Sequence, residues 1–361
     1  MKVLVAGGAG YIGSHVVKML GEKGYFIIVV DDLSQGKKEH VLYGEFIQGN
    51  IGDINLMERI FQENQIEFVI YFAANTSVEE SIKNPNKYYR NNVVNCLNFL
   101  DSMIKHNVKK IIFSSTAVVY GIPEEIPIKE NEKTKPINPY GKTKLIIEQI
   151  LEDFDKAYGL KYIALRYFNV AGAEPSGKIG ENHNPETHLI PKILKSLSGS
   201  AKNVPSFETG MDWHNNNIFS LQRRSPSIYG VVDSLEKREI FEIYGDDYLT
   251  KDGTCIRDYI YVNDVAQAHI LALEYLLNKN CESKIYNLGS EKGFSVKEII
   301  DKVEKVTKKK VLVKITSRRE GDIPVLIASS EKIKKELGWK RQCEDIEFII
   351  KTSWQWFLKK L

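Results

Sequence analysis

Val3-Leu4-Val5 runs into Gly7-Gly8-Ala9-Gly10-Tyr11-Ile12-Gly13, and this stretch decides the fold. The three apolar residues read as a short buried strand. Ile12, Val16, Met19 and Leu20 then recur at helical spacing until Gly24 stops the pattern. Phe26–Val30 is a second apolar strand, and it ends at Asp31. Glycines allow the tight turn and let backbone N–H groups approach a pyrophosphate. The helix N-terminus adds partial positive charge at the same place. An acid at the end of the second strand accepts hydrogen bonds from ribose hydroxyls and repels the extra phosphate of NADP, so Asp31 favours NAD. Gly7, Gly10, Gly13 and Asp31 are therefore candidate cofactor residues. The blander alternatives are helix–strand packing for Gly10 and Gly13, and a strand-end turn for Asp31.

Beyond this unit the alternation continues. Strands are expected at Glu45–Gln48, Phe68–Phe72, Lys110–Ser114 and Lys161–Arg166. Helical patterns lie between them at Leu56–Glu63, Tyr88–His106 and Pro139–Tyr158. Such repetition predicts an α/β fold with a Rossmann-like, doubly wound parallel sheet. Ligands in these sheets sit beyond the carboxyl ends of the strands, so chemistry is sought just after each one. After Asn169 the pattern loosens into a Gly-, Pro- and Asn-rich loop at Ala171–Asn184, then a short helix at Leu189–Leu197. Order returns at Phe241–Tyr244, Ile256–Val262, Val265–Leu277 and Lys284–Leu288. Two or three helices and a strand near Val311–Ile315 close the chain. We expect a nucleotide domain over residues 1–175 and a smaller C-terminal α/β substrate domain over 176–361, with a segment near 256–288 returning to the first. Ser198–Leu235 has no clean period and reads as an insertion, either a surface loop or a lid or partner contact carrying Trp213, Phe219, Arg223 and Arg224.

Composition narrows the function classes. The chain has 361 residues and a formal net charge of +3, which gives no reason to expect a nucleic-acid partner. Lys305–Lys310 reads as a solvated face. No apolar run is long enough to predict a membrane span, and Met1-Lys2-Val3-Leu4-Val5 enters a strand without signal-peptide architecture. Cys96, Cys255, Cys281 and Cys343 are scattered, which suits a reducing cytoplasm. Neither they nor the seven histidines are expected to form a metal-ligand cluster.

The chemistry is expected at Asn138-Pro139-Tyr140-Gly141-Lys142-Thr143-Lys144. Asn138 can cap a helix and Pro139 suits its first position. Tyr140 and Lys144 are four apart and share a face. A free phenol has a pKa of about 10 and is a poor base at neutral pH. A nearby ammonium, the helix N-terminus and a cationic nicotinamide would each stabilise its phenolate. Tyr140 is then the general base, Lys144 its tuner, and Thr116, at the end of Phe113-Ser114-Ser115-Thr116, the group that orients the reacting oxygen. A strand-end turn is the plainer reading of Thr116. These residues predict hydride transfer at an alcohol carbon and leave the substrate open.

Several stretches resemble the nucleotide-sugar epimerases of the extended short-chain dehydrogenase/reductase family. They are the opening glycine segment through Ser14-His15, Phe113–Gly121, Tyr140–Lys144 and Leu165-Arg166-Tyr167-Phe168-Asn169. Gly172-Ala173, Pro175-Ser176-Gly177, Asp252–Ile260 and Arg318-Arg319-Glu320-Gly321-Asp322 continue the match. The resemblance covers nearly the whole chain except about Ser198–Leu235. It implies NAD contacts from Tyr11, Ile12, Asp31, Asp32, Gln35 and Lys37, with Asp53 and Ile54 flanking the adenine. Phe72, Ala73, Asn91, Tyr140, Lys144 and Phe168 would line the rest. It implies UDP-sugar contacts from Thr116, Asn169, Leu189, Arg257, Arg319 and Asp322. The two arginines can hold a diphosphate bidentately, and Asp322 can accept ribose hydroxyls. The implied reaction interconverts UDP-glucose and UDP-galactose. Tyr140 takes the C4 hydroxyl proton as hydride passes to NAD, the 4-keto sugar swings over, and hydride returns to the other face. A homodimer is also implied.

Two positions depart from the family pattern. Thr76 stands where many relatives carry a cofactor-touching Lys. Leu326, of intermediate size, stands where the family sets room for a 2-acetamido group, so modest activity on UDP-GlcNAc and UDP-GalNAc is expected. Two other classes share such a fold. A 4,6-dehydratase needs an acid pair after the strand-end Thr, where this chain has Ala117-Val118. A regulatory NAD sensor needs no base, yet Tyr140, Lys144 and Thr116 are all present.

Overall fold

The computed structural model describes residues 1–197 and 239–360. The expected insertion at 198–235 lies outside them. Seven strands form one parallel sheet. From edge to edge they are Lys284–Leu288, Lys161–Tyr167, Lys110–Thr116, Phe68–Tyr71, Lys2–Ala6, Phe26–Asp31 and Glu45–Gln48. The order reverses between Lys2–Ala6 and Phe68–Tyr71. That reversal leaves a crevice at the carboxyl ends of these strands, the place where dinucleotides bind in doubly wound sheets.

The apolar runs are continuous because both faces of the sheet are covered. Alternate side chains divide between the two faces. Val3, Val5, Ile27, Val29, Phe68 and Ile70 face the core shared with helices Tyr11–Glu22 and Val262–Leu276. Leu4, Ala6, Ile28, Val30, Val69 and Tyr71 face the other core, shared with helices Ile54–Glu63, Asn95–Lys105 and Pro139–Tyr158. The chain thus returns to the first sheet late, through helix Val262–Leu276 and edge strand Lys284–Leu288.

A second layer lies at the carboxyl ends. Strand Ile256–Tyr261 pairs with Asn169–Ala171, Gly293–Ser295 and Val325–Leu326. Phe241–Tyr244 and Val313–Thr316 form a separate parallel pair. Helices Leu189–Ser196, Val296–Thr307 and Ile346–Leu358 pack over one core with these strands. The expected single helix over Tyr88–His106 is instead three pieces, with a π-helical stretch at Tyr89–Val94 between α-helical segments. Such wide turns often sit at functional sites. Here Asn91 lies in the turn and lines the central cavity, while Asn92 ties it to Asn75 and to Thr143 Oγ1.

The strand Lys161–Tyr167 and the helix Pro139–Tyr158 are clamped by a buried ion pair. Arg166 donates to both Glu148 oxygens, at 3.0 and 2.6 Å, and to the Tyr120 hydroxyl at 2.8 Å. Ser115 Oγ donates to Glu148, and Tyr120 donates to Asn287 Oδ1 at 2.7 Å. Every member thus has a partner, as a buried charge requires. Burial works against the guanidinium, but Glu148 outweighs it and holds Arg166 firmly protonated.

Candidate active site

The glycine turn is set by contact as well as by backbone angle. Gly7 has φ +78°, and a Cβ there would come within 2.6 Å of the Ala73 backbone nitrogen. A Cβ on Gly13 would meet the Gly7 carbonyl at 2.5 Å. Both glycines are therefore required by the close approach of turn, helix and neighbouring strand. Gly7→Ala is expected to cost at least about 1–2 kcal/mol from the left-handed backbone alone, with the clash added. A lowered thermal midpoint and weaker NAD titration would register it, and an unchanged pair would refute it. Gly10 differs, since a Cβ there meets only the Gly7 carbonyl, at 3.4 Å. It starts helix Tyr11–Glu22 with no side-chain cap, which leaves the first N–H groups open to an anion.

Asp31 ends its strand beside this turn. Its Oδ2 accepts from Ala9 N–H and its Oδ1 from Leu33 N–H, both at 2.9 Å. Burial raises its pKa while these N–H groups oppose the shift. The residue therefore holds the turn as well as facing the cavity. Asp32 accepts from Ser34 N–H at 2.9 Å and from Asn50 Nδ2 at 3.3 Å.

One cavity of about 470 Å³ joins all these parts, a size within the usual range for small-ligand sites. Of the implied cofactor residues, Gly7, Gly10, Tyr11, Ile12, Gly13, Asp31, Asp32 and Gln35 line one arm. Phe72, Ala73, Asn91, Tyr140, Lys144 and Phe168 line its middle. Three implied contacts are not brought there. Asp53 caps helix Ile54–Glu63, accepting from Leu56 N–H at 3.1 Å, and Ile54 is 52 % exposed. Asn50 and Ile51, which follow strand Glu45–Gln48 after Gly49, line the cavity instead. Lys37 also lies outside the lining; its N–H donates to the Ala9 carbonyl at 3.1 Å. Thr76 also lines the cavity.

Helix Pro139–Tyr158 begins as its sequence predicts. Asn138 Oδ1 accepts from Gly141 N–H at 2.9 Å, and Pro139 follows in the first turn. Tyr140 is 9 % exposed and Lys144 is 1 % exposed. Lys144 Nζ donates to the Ser114 carbonyl at 2.8 Å and lies 4.9 Å from the Phe113 ring centroid. Burial lowers its pKa to about 8. Burial also raises the Tyr140 phenol to about 12, with the Thr116 hydroxyl pulling the other way. Before cofactor or substrate arrives, burial thus keeps Tyr140 above the range of a neutral-pH base, contrary to the simplest reading of the Tyr-x-x-x-Lys pattern, and added positive charge is what would lower it. Asn138 Nδ2 is buried against the cavity without a partner among the described residues.

At the far end, strand alternation splits Arg257-Asp258-Tyr259. Arg257 and Tyr259 line the cavity, while Asp258 turns away and accepts from Ser290, Glu291 and Ala328 N–H groups. Arg257 is held by the Ile323 carbonyl at 2.6 Å. Asp322 stands between the guanidiniums, 3.0 Å from Arg319 and 3.9 Å from Arg257. Asn169, Leu189 and Leu326 complete this end. Sequence reasoning missed Glu181, His183 and His188 in the same wall. The histidines do form a cluster with acids, at Glu181, His183, Glu186 and His188. The pattern Glu-x-His-x-x-Glu-x-His was there to read, but it lies in a loop with no period to mark which side chains converge. Burial works against charge here, yet mutual attraction holds Glu181 down to about 2 and lifts His183 to about 10.

The sequence has relatives that match this geometry. Residues 3–214 match the NAD dependent epimerase/dehydratase family, and residues 226–352 match GDP-mannose 4,6 dehydratase. UDP-glucose 4-epimerase of Halalkalibacterium halodurans is 45% identical, over 99% of this chain and 95% of its own. UDP-glucose 4-epimerase of Streptococcus mutans is 46% identical, over 99% of this chain and 96% of its own. Among solved structures, UDP-glucose 4-epimerase from Bifidobacterium longum in complex with NAD+ and UDP superimposes with a TM-score of 0.84 at 36% identity, covering 99% of this chain and 98% of that one.

Proposed function

The chain belongs to the NAD dependent epimerase/dehydratase family, and on that premise we propose that it interconverts UDP-glucose and UDP-galactose, with NAD as its cofactor. The observation that carries the reading is a single cavity that joins the glycine turn, the Thr116–Tyr140–Lys144 group and the Arg257–Asp322–Arg319 group. The Ala117-Val118 pair beside Thr116 supports epimerisation over dehydration, because elimination needs an acid pair there.

NAD, when bound, would supply the hydride acceptor for sugar C4 and the donor for its return. The chain's own groups do the rest. The open N–H groups at the start of helix Tyr11–Glu22 hold the cofactor pyrophosphate, and Asp31, Asp32 and Gln35 hold the adenosine ribose. Asn50 and Ile51 flank the adenine. Tyr140 takes the C4 hydroxyl proton and gives it back, with Thr116 orienting that oxygen. Lys144 keeps its positive charge below a pH of about 8 and favours the phenolate. Arg257 and Arg319 clamp the UDP diphosphate, with Asp322 on the uridine ribose and Asn169 and Leu189 beside it. The clamp keeps UDP fixed while the sugar turns. Deuterium placed at C4 of UDP-galactose should remain at C4 of the UDP-glucose formed in ordinary water. Its loss to solvent would overturn the mechanism.

Leu326 is buried beside Phe168 and Ala117 at the sugar end. Its moderate bulk leaves room for a 2-acetamido group, so slower turnover of UDP-GlcNAc is expected. Leu326→Tyr should remove at least about nine-tenths of that activity and spare UDP-galactose, since misfit of a few heavy atoms costs about 1–3 kcal/mol. No UDP-GalNAc after prolonged incubation of the unaltered protein would end the proposal.

We assign residues 1–175, with the returning segment near 256–288, to cofactor binding, and the remainder of 176–361 to the UDP-sugar. A homodimer is proposed on the family resemblance, with Val94, Leu97 and Tyr158 exposed as apolar side chains available to such a contact. Light scattering that gives a monomer at working concentration would refute it. Among the described residues no helix is long and apolar enough to cross a membrane. A place in galactose metabolism follows from the proposed substrates, and the four free cysteines suit a reducing compartment such as the cytoplasm.

A further inference from the structure

We infer that Glu181, His183, Glu186 and His188 form a binding site for one divalent transition-metal ion, zinc by the chemistry of its donors. The inference stands apart from the epimerase reading. One donor atom from each residue lies within 4.8 Å of all the others. His183 Nδ1 is 3.2 Å from Glu181 Oε1 and 3.8 Å from Glu186 Oε1. His188 Nδ1 contacts the same Glu181 oxygen, and the two imidazole planes are nearly perpendicular, at 82°. Zinc bonds of about 2.0–2.1 Å set tetrahedral ligand atoms roughly 3.3 Å apart. The four groups therefore need only small side-chain rotations to surround an ion.

Donor type narrows the choice. Two imidazoles disfavour calcium and magnesium, which take oxygen ligands, and suit zinc or its neighbours. Two carboxylates balance a doubly charged ion once it displaces the protons from the two imidazoles. Outer contacts already fix part of the set. Glu186 Oε1 accepts from Thr187 N–H at 2.8 Å and His188 N–H at 2.9 Å, as metal ligands are commonly held by a second layer of hydrogen bonds.

The site is structural. Four protein ligands fill a tetrahedral ion and leave no position for substrate. Its location gives it work to do. The Tyr11 ring meets His183 edge-on at 6.4 Å, and the Tyr11 hydroxyl donates to the Gly172 carbonyl at 2.6 Å. His188 in turn precedes helix Leu189–Ser196. An ion here ties the loop after strand Asn169–Ala171 to the start of that helix and braces it against the glycine turn.

The test uses the full chain, stripped with a chelator and then titrated with zinc chloride, with magnesium chloride as the control. The readouts are metal content by mass spectrometry, calorimetric stoichiometry and thermal midpoint. About one zinc per chain is expected, with a raised midpoint and no response to magnesium, because metal binding to a folded site adds to folding free energy. His188→Gln removes one ligand at a half-exposed position that tolerates change, and Glu186→Gln removes another. Each variant should fold, as its circular dichroism will report, and lose the stoichiometric zinc. The inference is overturned if the stripped protein takes up no stoichiometric zinc, or if both folded variants still hold it.

Discussion

Tyr140→Phe is expected to lower kcat by roughly 10²–10⁴-fold, the usual contribution of a positioned acid–base group, while leaving NAD binding and the thermal midpoint close to those of the unaltered chain. The ring is 9 % exposed and packed, so phenylalanine fills the same space and removes only the proton carrier. In the protein alone the phenol is pushed up to about 12 by burial. Its release of a proton thus depends on positive charge gathered around it. Lys144, one turn along the same helix and lowered to about 8 by burial, is the cation proposed to supply part of that charge. Turnover should therefore fall on the acid side as Tyr140 takes up a proton, and on the alkaline side as Lys144 gives one up. Lys144→Met should move the acid limb to higher pH, because the phenolate loses its neighbouring cation. Steady-state rates across pH measure both effects. A Tyr140→Phe variant that keeps more than about a tenth of its turnover would contradict the assignment, given that contribution.

Glu148→Ala is expected to destabilise the chain by about 3–5 kcal/mol, the cost of leaving one member of a buried ion pair without its partner. Arg166 and Glu148 are each 4 % exposed and joined by two hydrogen bonds. Arg166 cannot shed its proton to escape. Removing Glu148 also strands Ser115, whose strand carries Thr116 into the cavity. The variant should lose activity in step with its stability rather than through a changed pH profile. Denaturant midpoints measure the loss. The double variant Glu148→Leu/Arg166→Met should recover much of it, because the desolvation cost vanishes with the charges. A single variant within about 1 kcal/mol of the unaltered chain would mean that the pair is hydrated, as exposed pairs are.

Regular periodicity made much of this architecture legible. Glu45–Gln48, Phe241–Tyr244, Lys284–Leu288 and helix Pro139–Tyr158 fall where apolar spacing and end signals put them. The last is bounded by a capping asparagine and by Gly159 in the left-handed region. What local pattern cannot carry is pairing between distant segments. Nothing within Phe241–Tyr244 or Val313–Thr316 marks them as partners. The wide turn at Tyr89–Val94 was hidden because the segments on either side read as helix and a single widened turn carries no residue signature of its own. At the site, side chains that follow a strand directly could be placed by rule. Asp53 and Ile54 stand at the cap and first position of the next helix, outside the cavity lining, whereas Asn50 and Ile51, just past the strand end, line it. Glu181 to His188 escaped for the opposite reason, as an irregular loop brings its donors together only through its fold. The high phenol pKa escaped too, because burial depends on neighbours from strands far away in sequence.

The most direct test of the central claim is incubation of the purified chain with UDP-galactose, with the two sugars separated and quantified over time. The account predicts that UDP-glucose appears until both sugars reach a fixed ratio, that the same ratio is approached from UDP-glucose, and that no net NADH accumulates. Bound NAD without any UDP-glucose formed would contradict it and assign the site to a different nucleotide sugar.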